Sequence, residues 1–307
     1  MNEVKIFCPA TIANVSCGFD VLGLCLDSVG DVMVIRKSSE KGVKITKIEG
    51  QKLPLETNQN VAGVSVLEML KNVDTDFGFE IEIYKEIKPG SGIGSSAASA
   101  AGAVFGVNKL LGDPFSLNDL IPFAMKGEEL ASGALHADNV APALLGGFTL
   151  VRGYDPLDVI KIHTPNQLYA SIIHPQIEVK TSDSRSVLKQ NVPLKKAIEQ
   201  WGNLGGLISG LYTEDYDLIS RCLHDGIVEP LRSVLIPGFY EVKEAAVNAG
   251  ALGSGISGSG PSIFALSKGE ETAKNVAQAM SDVYKGIGLD FDIHISKVNT
   301  EGIKVLE

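Results

Sequence analysis

The chain has 307 residues, 44% of them hydrophobic and 21% charged, which is the balance of a globular protein large enough for two domains. Its formal net charge of −10 argues against nucleic-acid binding, which needs a basic surface. No run approaches the ~18 apolar residues of a membrane span. The first ten residues also lack the apolar centre of a signal peptide, so we expect a cytoplasmic protein that binds neither nucleic acid nor membrane.

The four cysteines predict neither a zinc site nor a disulfide framework. None of them belongs to a CxxC pair, and no histidine cluster lies beside them in the sequence. We therefore expect reduced and mostly buried thiols at Cys8, Cys17, Cys25 and Cys222.

Strand and helix signals alternate through the first half of the chain. Apolar runs, the last of them alternating with polar residues, predict strands over residues 4–7, 32–36, 43–48 and 79–84. Helical patterns predict helices over residues 61–72, 95–111 and 117–132. Asn60 and Ser116 are the predicted N-caps of the first and third helix, and Gly112 ends the second.

The second half repeats this mixture after an irregular segment. A strand is predicted over 146–152, and residues 153–166, with two prolines, are predicted to cross between domains. Further strands are predicted over 168–174, 262–267 and 291–298, and helices over 193–211, 214–224, 238–248 and 270–284. We therefore expect two α+β domains, residues 1–160 and 161–307, that share one cleft.

The stretch KPGSGIGSSAAS, residues 88–99, places little side-chain volume directly before a helix. Glycine adopts positive φ without strain and lets backbone N–H groups approach a ligand closely. The first N–H groups of a helix lack internal partners and lie at the positive end of its dipole, so the pattern is typical of a phosphate cradle. The alternative is a tight strand-to-helix turn that needs small residues for packing. The pattern is neither a P-loop, since no Gly-Lys-Ser/Thr closes it, nor a dinucleotide fingerprint, since its glycine spacing differs.

Residues 89–97, PGSGIGSSA, resemble the phosphate-binding motif of the GHMP small-molecule kinases, with Ile93 where that family usually has Leu. Further stretches resemble, in family order, the motifs of the homoserine kinases within that superfamily: 9–23, 132–147, 179–185, 229–232 and 255–266. The resemblance implies an α+β, two-domain GHMP kinase fold. Its N-terminal domain is ribosomal-protein-S5-domain-2-like and α/β, and its C-terminal domain is ferredoxin-like and α+β.

The resemblance also implies a reaction: ATP-dependent phosphorylation of the side-chain hydroxyl of L-homoserine, in threonine biosynthesis, with Mg²⁺. By family position, Ser96 and Glu128 hold the metal, and Thr181 donates to the γ-phosphate. The implied ATP-binding residues are Asn60, Val61, Pro89, Gly90, Ser91, Gly92, Ile93, Gly94, Ser95, Ser96 and Ala97. Family members are often dimers, so a homodimer is expected as well.

A zwitterionic amino acid needs cations for its carboxylate and an anion or carbonyl for its ammonium. Arg185 and Arg232 can each hold a carboxylate in bidentate fashion, and the resemblance assigns them this role. Asp20 either orients the substrate hydroxyl, pairs with the ammonium or only shapes a turn. Asn14, in the same motif, is a hydrogen-bonding partner or a turn residue. His136 is expected to bind the substrate or support its loop, and a role as general base stays open as an alternative.

Related kinases such as mevalonate kinase carry a catalytic Asp at the position that aligns with Asn139. An amide cannot take a proton at neutral pH, so Asn139 is expected to hold the attacking hydroxyl. Phosphoryl transfer tolerates this because its loose transition state mainly requires positioning and charge neutralisation. The predicted catalytic residues are therefore Asp20, Asn139 and Thr181.

Two alternatives to this function stay open. One is another GHMP kinase, and the other is a small-molecule sensor of the same fold that no longer phosphorylates its ligand. The glycines at positions 255, 258 and 260 are expected either to support the phosphate loop, to contact the substrate or to serve the fold alone.

Overall fold

The computed structural model of the protein describes residues 1–179 and 181–306 and, for Thr181 and Ser182, the backbone alone. Its strands are β1 (Glu3–Ala13), β2 (Leu22–Ser38), β3 (Val43–Glu49), β4 (Gly78–Tyr84), β5 (Phe148–Tyr154), β6 (Leu157–Ile162), β7 (Leu168–Pro175), β8 (Gly253–Ile256), β9 (Ile263–Lys268), β10 (Phe291–Lys297) and β11 (Lys304–Leu306). Its helices are α1 (Val61–Met69), α2 (Ser95–Leu111), α3 (Leu117–Ser132), α4 (Val140–Leu145), α5 (Thr181–Ser186), α6 (Leu194–Thr213), α7 (Tyr216–Cys222), α8 (Glu229–Arg232), α9 (Phe239–Asn248) and α10 (Glu270–Ile287). Within these ranges, none of the helices combines the length and the apolar character that a membrane crossing requires.

The described strands form two sheets. The larger has the order β11-β1-β2-β4-β3, with β5 also pairing β2 and β6 pairing β5, and only β3 and β4 run parallel. A register shift between Pro9 and Thr11 bends β1 against β2. The ends of these two long strands carry Thr11 and the loop after Ala13 to the functional site described below.

Helices α1, α2 and α3 pack against one another, and α2 lies on β1 and β2. The Ala and Gly content of α2 follows from this close approach. A Cβ atom on Gly102 would lie 2.3 Å from the Cys8 sulfur, and one on Gly106 would lie 2.4 Å from Ile35 Cδ1. Small residues are therefore required where the helix crosses the sheet.

The smaller sheet has the order β10-β7-β9-β8, and α9 and α10 pack against it. Its own apolar core includes Ile173, Phe239 and Tyr284, each almost fully buried. The strand β11 returns from this half of the chain to pair with β1 in the larger sheet.

The strongest local signals in the sequence are confirmed. Helix α2 begins and ends at the predicted residues, Asn60 accepts a hydrogen bond from the Ala62 N–H at 3.0 Å, and Ser116 forms a reciprocal capping box with Asp119. The four cysteines are free and buried, as expected.

The segment 153–166 is not irregular throughout, because β6 lies within it and forms a hairpin with β5, and the crossing between domains there stays a prediction. The prolines that suggested a break lie outside the strand: Pro156 is in the turn that precedes β6, and Pro165 follows it. The sequence patterns also missed the short β8, β11, α4, α5 and α8. The domain boundary after residue 160 falls inside β6 and stays a prediction.

Candidate active site

A cavity of about 590 Å³ opens between the start of α2, the end of α3 and the loop before α4, with one wall from α5 and α8. The predicted residues that line it are Asn14, Asp20, Val61, Pro89, Gly90, Gly92, Gly94, Ser95, Ser96, Glu128, His136, Asn139, Arg185 and Arg232. Asn60, Ser91, Ile93 and Ala97 are buried and do not line it. Thr181 begins α5, but its side chain lies outside the described part of the chain.

The glycine stretch forms a loop that ends in the N-terminus of α2. Gly90, Gly92 and Gly94 have φ values of 75°, 84° and 70°, which favour glycine. No described side chain caps the first turn of α2, and Gly94, Ser95 and Ser96 at this turn line the cavity. The 17-residue helix places the positive end of its dipole at the same point. The loop thus has the chemistry of a polyanion site.

A second glycine loop, residues 257–260, belongs to the C-terminal half of the chain. It packs against residues 89–94, the predicted phosphate loop. Ser257 Oγ donates to Gly92 O at 2.7 Å, and the Ser262 N–H donates to Ser91 O at 3.2 Å. A Cβ atom on Gly92 would lie 2.7 Å from the carbonyl oxygens of both Ser257 and Gly260. The two loops are therefore in backbone contact, and Gly258 also lines the cavity.

Glu128 on α3 is a buried carboxylate beside the start of α2. Burial raises its pKa to about 7, while a hydrogen bond from Ser96 acts in the opposite direction. Its Oε1 atom is buried and has no hydrogen-bond partner within the described residues. An unpaired carboxylate oxygen and a hydroxyl next to a polyanion site fit Mg²⁺, which takes few protein ligands and completes its shell with phosphate and water.

The other end of the cavity holds two guanidinium groups. Arg185 donates to Asp20 at 3.0 and 3.3 Å and to His136 Nε2 at 2.7 Å. The guanidinium carbons of Arg185 and Arg232 lie 5.9 and 5.0 Å from the centre of the Phe19 ring, within cation–π range. Both guanidinium groups therefore contact the Phe19 ring.

Arg232 is 3% exposed, and the hydrogen bonds described for it go to backbone carbonyls. Its Nε donates to Ser184 O and its Nη1 to Gly258 O, both at 3.0 Å. Burial and the charge of Arg185 lower its pKa to about 10. Among the described residues, no carboxylate lies within ion-pair distance of this buried cation, so an anionic ligand would supply the missing partner.

The loop over residues 14–20 is strained where it meets this end of the site. Asn14, Val15, Ser16 and Asp20 all have positive φ, between 39° and 71°, and a β-branched residue there is an outlier. The side chain of Asn14 holds the loop by accepting from the Asp20 N–H at 2.9 Å and donating to Gly258 O at 2.8 Å. Strain of this kind is retained where the surrounding contacts fix a functional geometry.

Asn139 and His136 are both held in orientations that leave no free base. Thr11 Oγ1 donates to Asn139 Oδ1 at 2.7 Å, which fixes the orientation of the amide, and an amide nitrogen can only donate. A guanidinium can only donate, so His136 Nε2 accepts from Arg185 and carries its proton on Nδ1 when neutral. Burial lowers the pKa of His136, which keeps the ring neutral at pH 7.

Phe19, Lys85 and Asp138 line or border the site and were not predicted as site residues. Phe19 directly precedes Asp20, and Asp138 directly precedes Asn139. This position within the motifs is the signal that could have identified both as site residues. Lys85 lines the cavity although nothing in its sequence context marks it. Asp138 is buried, and its burial together with the charges of Asp20 and Glu128 raises its pKa to about 7.

The raised pKa of Asp138 predicts a pH-dependent stability. A carboxyl group whose pKa is higher in the folded state binds more protons when the protein is folded than when it is unfolded. Its contribution to the free energy of unfolding is therefore lost as pH rises through about 7. We expect the free energy of unfolding to fall by about 1 kcal/mol between pH 6 and 8 through this group. Urea unfolding of Asp138→Asn should lack that part of the decrease. The fully exposed Asp76→Asn should keep the wild-type slope, and an unchanged slope in Asp138→Asn would contradict the assignment.

Comparison with known proteins gives consistent matches along the chain. Residues 60–147 match the family model of the GHMP kinases N terminal domain, and residues 207–286 match that of the GHMP kinases C terminal domain. The chain is 47% identical over 319 residues to the homoserine kinase of Chloroherpeton thalassium, with both chains fully covered. It is 41% identical to that of Methanococcus vannielii, with 92% of this chain and 94% of the relative covered.

Solved structures match as well. The crystal structure of homoserine kinase from Cytophaga hutchinsonii superposes with a TM-score of 0.96 at 52% identity, covering 100% of this chain and 98% of that one. The mevalonate kinase of L. major, at 14% identity and a TM-score of 0.68 over 97% of this chain and 95% of that one, shares the fold alone.

Proposed function

The chain belongs to the homoserine kinase family of the GHMP kinases, and from this premise we propose that it transfers the γ-phosphoryl group of ATP to L-homoserine. The product is O-phospho-L-homoserine, an intermediate of threonine biosynthesis. The two-domain GHMP kinase fold expected from the sequence is confirmed by the solved relative. Which residues of the cavity perform each step is our proposal.

The observation that carries the substrate assignment is the charge pattern around Phe19. Arg232 is a buried cation with carbonyl partners, and Arg185 is paired with Asp20. A zwitterionic amino acid matches this pattern, because its carboxylate can join the two guanidinium groups while its ammonium faces Asp20. Asp138 adds a second carboxylate that the ammonium would help to neutralise. A sugar or a simple hydroxy acid offers only part of this match.

The opposite end of the cavity suits the triphosphate of ATP. The N–H groups of the glycine loop and of the first turn of α2 would hold its phosphate oxygens, with Pro89 and Val61 on the lining. Ser96 and Glu128 would hold Mg²⁺, and the unpaired Glu128 Oε1 supports this. When bound, the cation neutralises phosphate charge as transfer proceeds.

Between the two ends, Asn139 would direct the substrate hydroxyl. Its amide nitrogen can donate to the hydroxyl oxygen, and the hydrogen bond from Thr11 to the amide oxygen holds the amide in this orientation. The hydroxyl oxygen attacks the γ-phosphorus as the bond from that phosphorus to the ADP oxygen breaks. The hydroxyl proton passes to a phosphate oxygen of the substrate or to water, since no described side chain is assigned as a strong base. Catalysis at this site therefore relies on positioning and charge neutralisation. Thr181 stays a predicted donor to the γ-phosphate.

An ADP-release assay tests this function with homoserine, serine, mevalonate and galactose side by side. We expect release with homoserine at least about a hundredfold above the others in kcat/KM. Preference for mevalonate or galactose would favour another GHMP kinase, and no release with any substrate would favour a sensor. 4-Hydroxybutyrate, which lacks the ammonium, should be a poor substrate if the acidic groups recognise that charge.

We also propose that the protein acts in the cytoplasm and forms a homodimer, the second of which only the family resemblance implied. Light scattering coupled to size-exclusion chromatography would measure the mass in solution.

A further inference from the structure

A buried ion pair lies directly beneath the phosphate loop. Lys85, which follows β4, and Asp31, on β2, have side chains that are 1% and 0% exposed. Their Nζ and Oδ2 atoms lie 2.5 Å apart. Removing two charges from water costs more than their attraction returns unless further hydrogen bonds satisfy both groups. A buried pair of this kind therefore needs further hydrogen-bond partners.

Every other hydrogen bond described for the two side chains reaches residues 86–87 or residues 95–99, the two ends of the loop. Asp31 Oδ1 accepts from the Glu86 and Ile87 N–H groups at 2.8 and 2.9 Å, where the chain enters the loop. Lys85 Nζ donates to Ser95 O at 2.9 Å and to Ser99 Oγ at 3.1 Å, where the chain leaves it in α2. The ion pair thus clamps residues 86–87 to residues 95–99.

Ser95 adds a direct hydrogen bond between the same two ends of the loop. Its Oγ donates to Ile87 O at 3.0 Å. Between the ends stand Gly90, Gly92 and Gly94, which have no side chains to hold the loop and lose much conformational freedom when they are ordered. The hydrogen bonds at its two ends therefore add to the backbone contacts that the 257–260 loop makes with Ser91 and Gly92.

The hydrogen bonds of Lys85 show that it does not serve as a direct ligand of phosphate. An ammonium has three N–H donors, and those of Lys85 have Asp31, Ser95 O and Ser99 as acceptors. Although Lys85 lines the cavity, it has no donor left for a phosphate oxygen.

We infer that Lys85 and Asp31 are positioning residues that hold the phosphate loop in its nucleotide-binding shape. The inference goes beyond the proposed function, and it rests on that function only for the turnover measurements. It requires that breaking the clamp weakens binding of the triphosphate even where the protein remains folded, while the distant amino-acid end of the cavity keeps its affinity.

The variants Lys85→Met, Asp31→Asn and the double variant K85M/D31N distinguish this role from a purely structural one. Each single variant leaves one buried charge without its partner, so both should lower the thermal unfolding midpoint. The double variant removes both charges, and the amide oxygen introduced by Asp31→Asn can still accept from the Glu86 and Ile87 N–H groups. Its thermal unfolding midpoint should therefore return most of the way to that of wild type. The thioether introduced by Lys85→Met, however, cannot donate to Ser95 O or Ser99.

Calorimetric titration of the full chain with a non-hydrolysable ATP analogue and Mg²⁺ gives the decisive readout. We expect the double variant to bind the analogue about tenfold more weakly than wild type, with KM for ATP raised in parallel and KM for homoserine changed by less than about twofold. Lys126→Met, which breaks an exposed ion pair with Glu129 on α3, is the matched control and should leave the analogue affinity unchanged.

An analogue affinity in the double variant within about twofold of wild type would overturn the inference. So would an equal rise in KM for homoserine, because that indicates a general loss of structure. If the double variant does not fold, Ser99→Ala decides. It leaves one buried N–H group of Lys85 without its acceptor, so it should weaken analogue binding about threefold and lower the midpoint less than either single variant. No weakening of analogue binding overturns the inference. Because the titration needs no homoserine, it stands or falls separately from the proposed function.

Discussion

Replacing Arg232 with leucine should raise KM for homoserine about a hundredfold and leave the affinity for an ATP analogue unchanged. The guanidinium is buried and packed on Phe19, and its described hydrogen bonds go to the carbonyls of Ser184 and Gly258. It is therefore the cation that most needs an anionic partner. Leucine keeps the apolar contact with the ring but cannot hold a carboxylate. Steady-state kinetics with each substrate varied, together with calorimetry, measure the two effects.

Two further variants make the result specific. Arg221→Leu removes an exposed arginine on α7 and should leave both KM values unchanged. Arg232→Lys keeps the charge but loses the planar fork, so its KM should lie between wild type and Arg232→Leu. A hundredfold loss confined to ATP affinity, or an unchanged KM for homoserine, would place the carboxylate elsewhere in the cavity.

The second large effect concerns the phosphate loop, where Gly94→Ala should reduce kcat/KM for ATP by at least about a hundredfold. A Cβ atom at this position would lie 2.1 Å from Thr11 Oγ1, and φ of Gly94 is +70°. The clash moves either the first turn of α2 or the threonine that orients Asn139. Both the cradle and the direction of the attacking hydroxyl depend on this contact. Kinetics with ATP varied and circular dichroism of the same sample measure activity and folding.

The opposite end of the same helix provides the control. Gly112 has a φ of +88°, and a Cβ atom there would meet nothing within 4 Å. Gly112→Ala therefore carries comparable backbone strain without the clash, and we expect about 1 kcal/mol lower stability with activity retained. Equal losses of activity in Gly94→Ala and Gly112→Ala would show that strain alone, and not the packing against Thr11, accounts for the effect.

Local signals explain which parts of the fold could be predicted from the sequence. Helix α2 was predicted to the residue because Gly94 and Gly112, at its two ends, adopt positive φ and interrupt an otherwise continuous run of small helix-forming residues. The strand β6 was missed because Pro156 and Pro165 flank it closely, and an edge strand with partly exposed residues has little apolar pattern.

The residues of the candidate site, too, could be predicted from the sequence only in part. Asp20, Asn139 and the two arginines stand in motifs that resemble those of a known family, and the cavity brings all four together. Their pairing could not be predicted, because Asp20 and Arg185 are 165 positions apart and meet only in the folded chain. Lys85 and Asp31 carry no local pattern at all, since a buried ion pair is defined by its surroundings and not by its neighbours in sequence.

The pairing of β11 with β1 has a consequence for how the protein is made. Lys5 lies opposite Leu306, so one edge of the larger sheet is formed by residues separated by almost the full length of the chain. During translation, β1 leaves the ribosome long before residues 304–306 are synthesised, and this edge stays without its partner for that whole interval. Nascent chains halted before residue 304 should therefore resist proteases less well than released protein, and the edge of β1 is where a chaperone would shield them from aggregation.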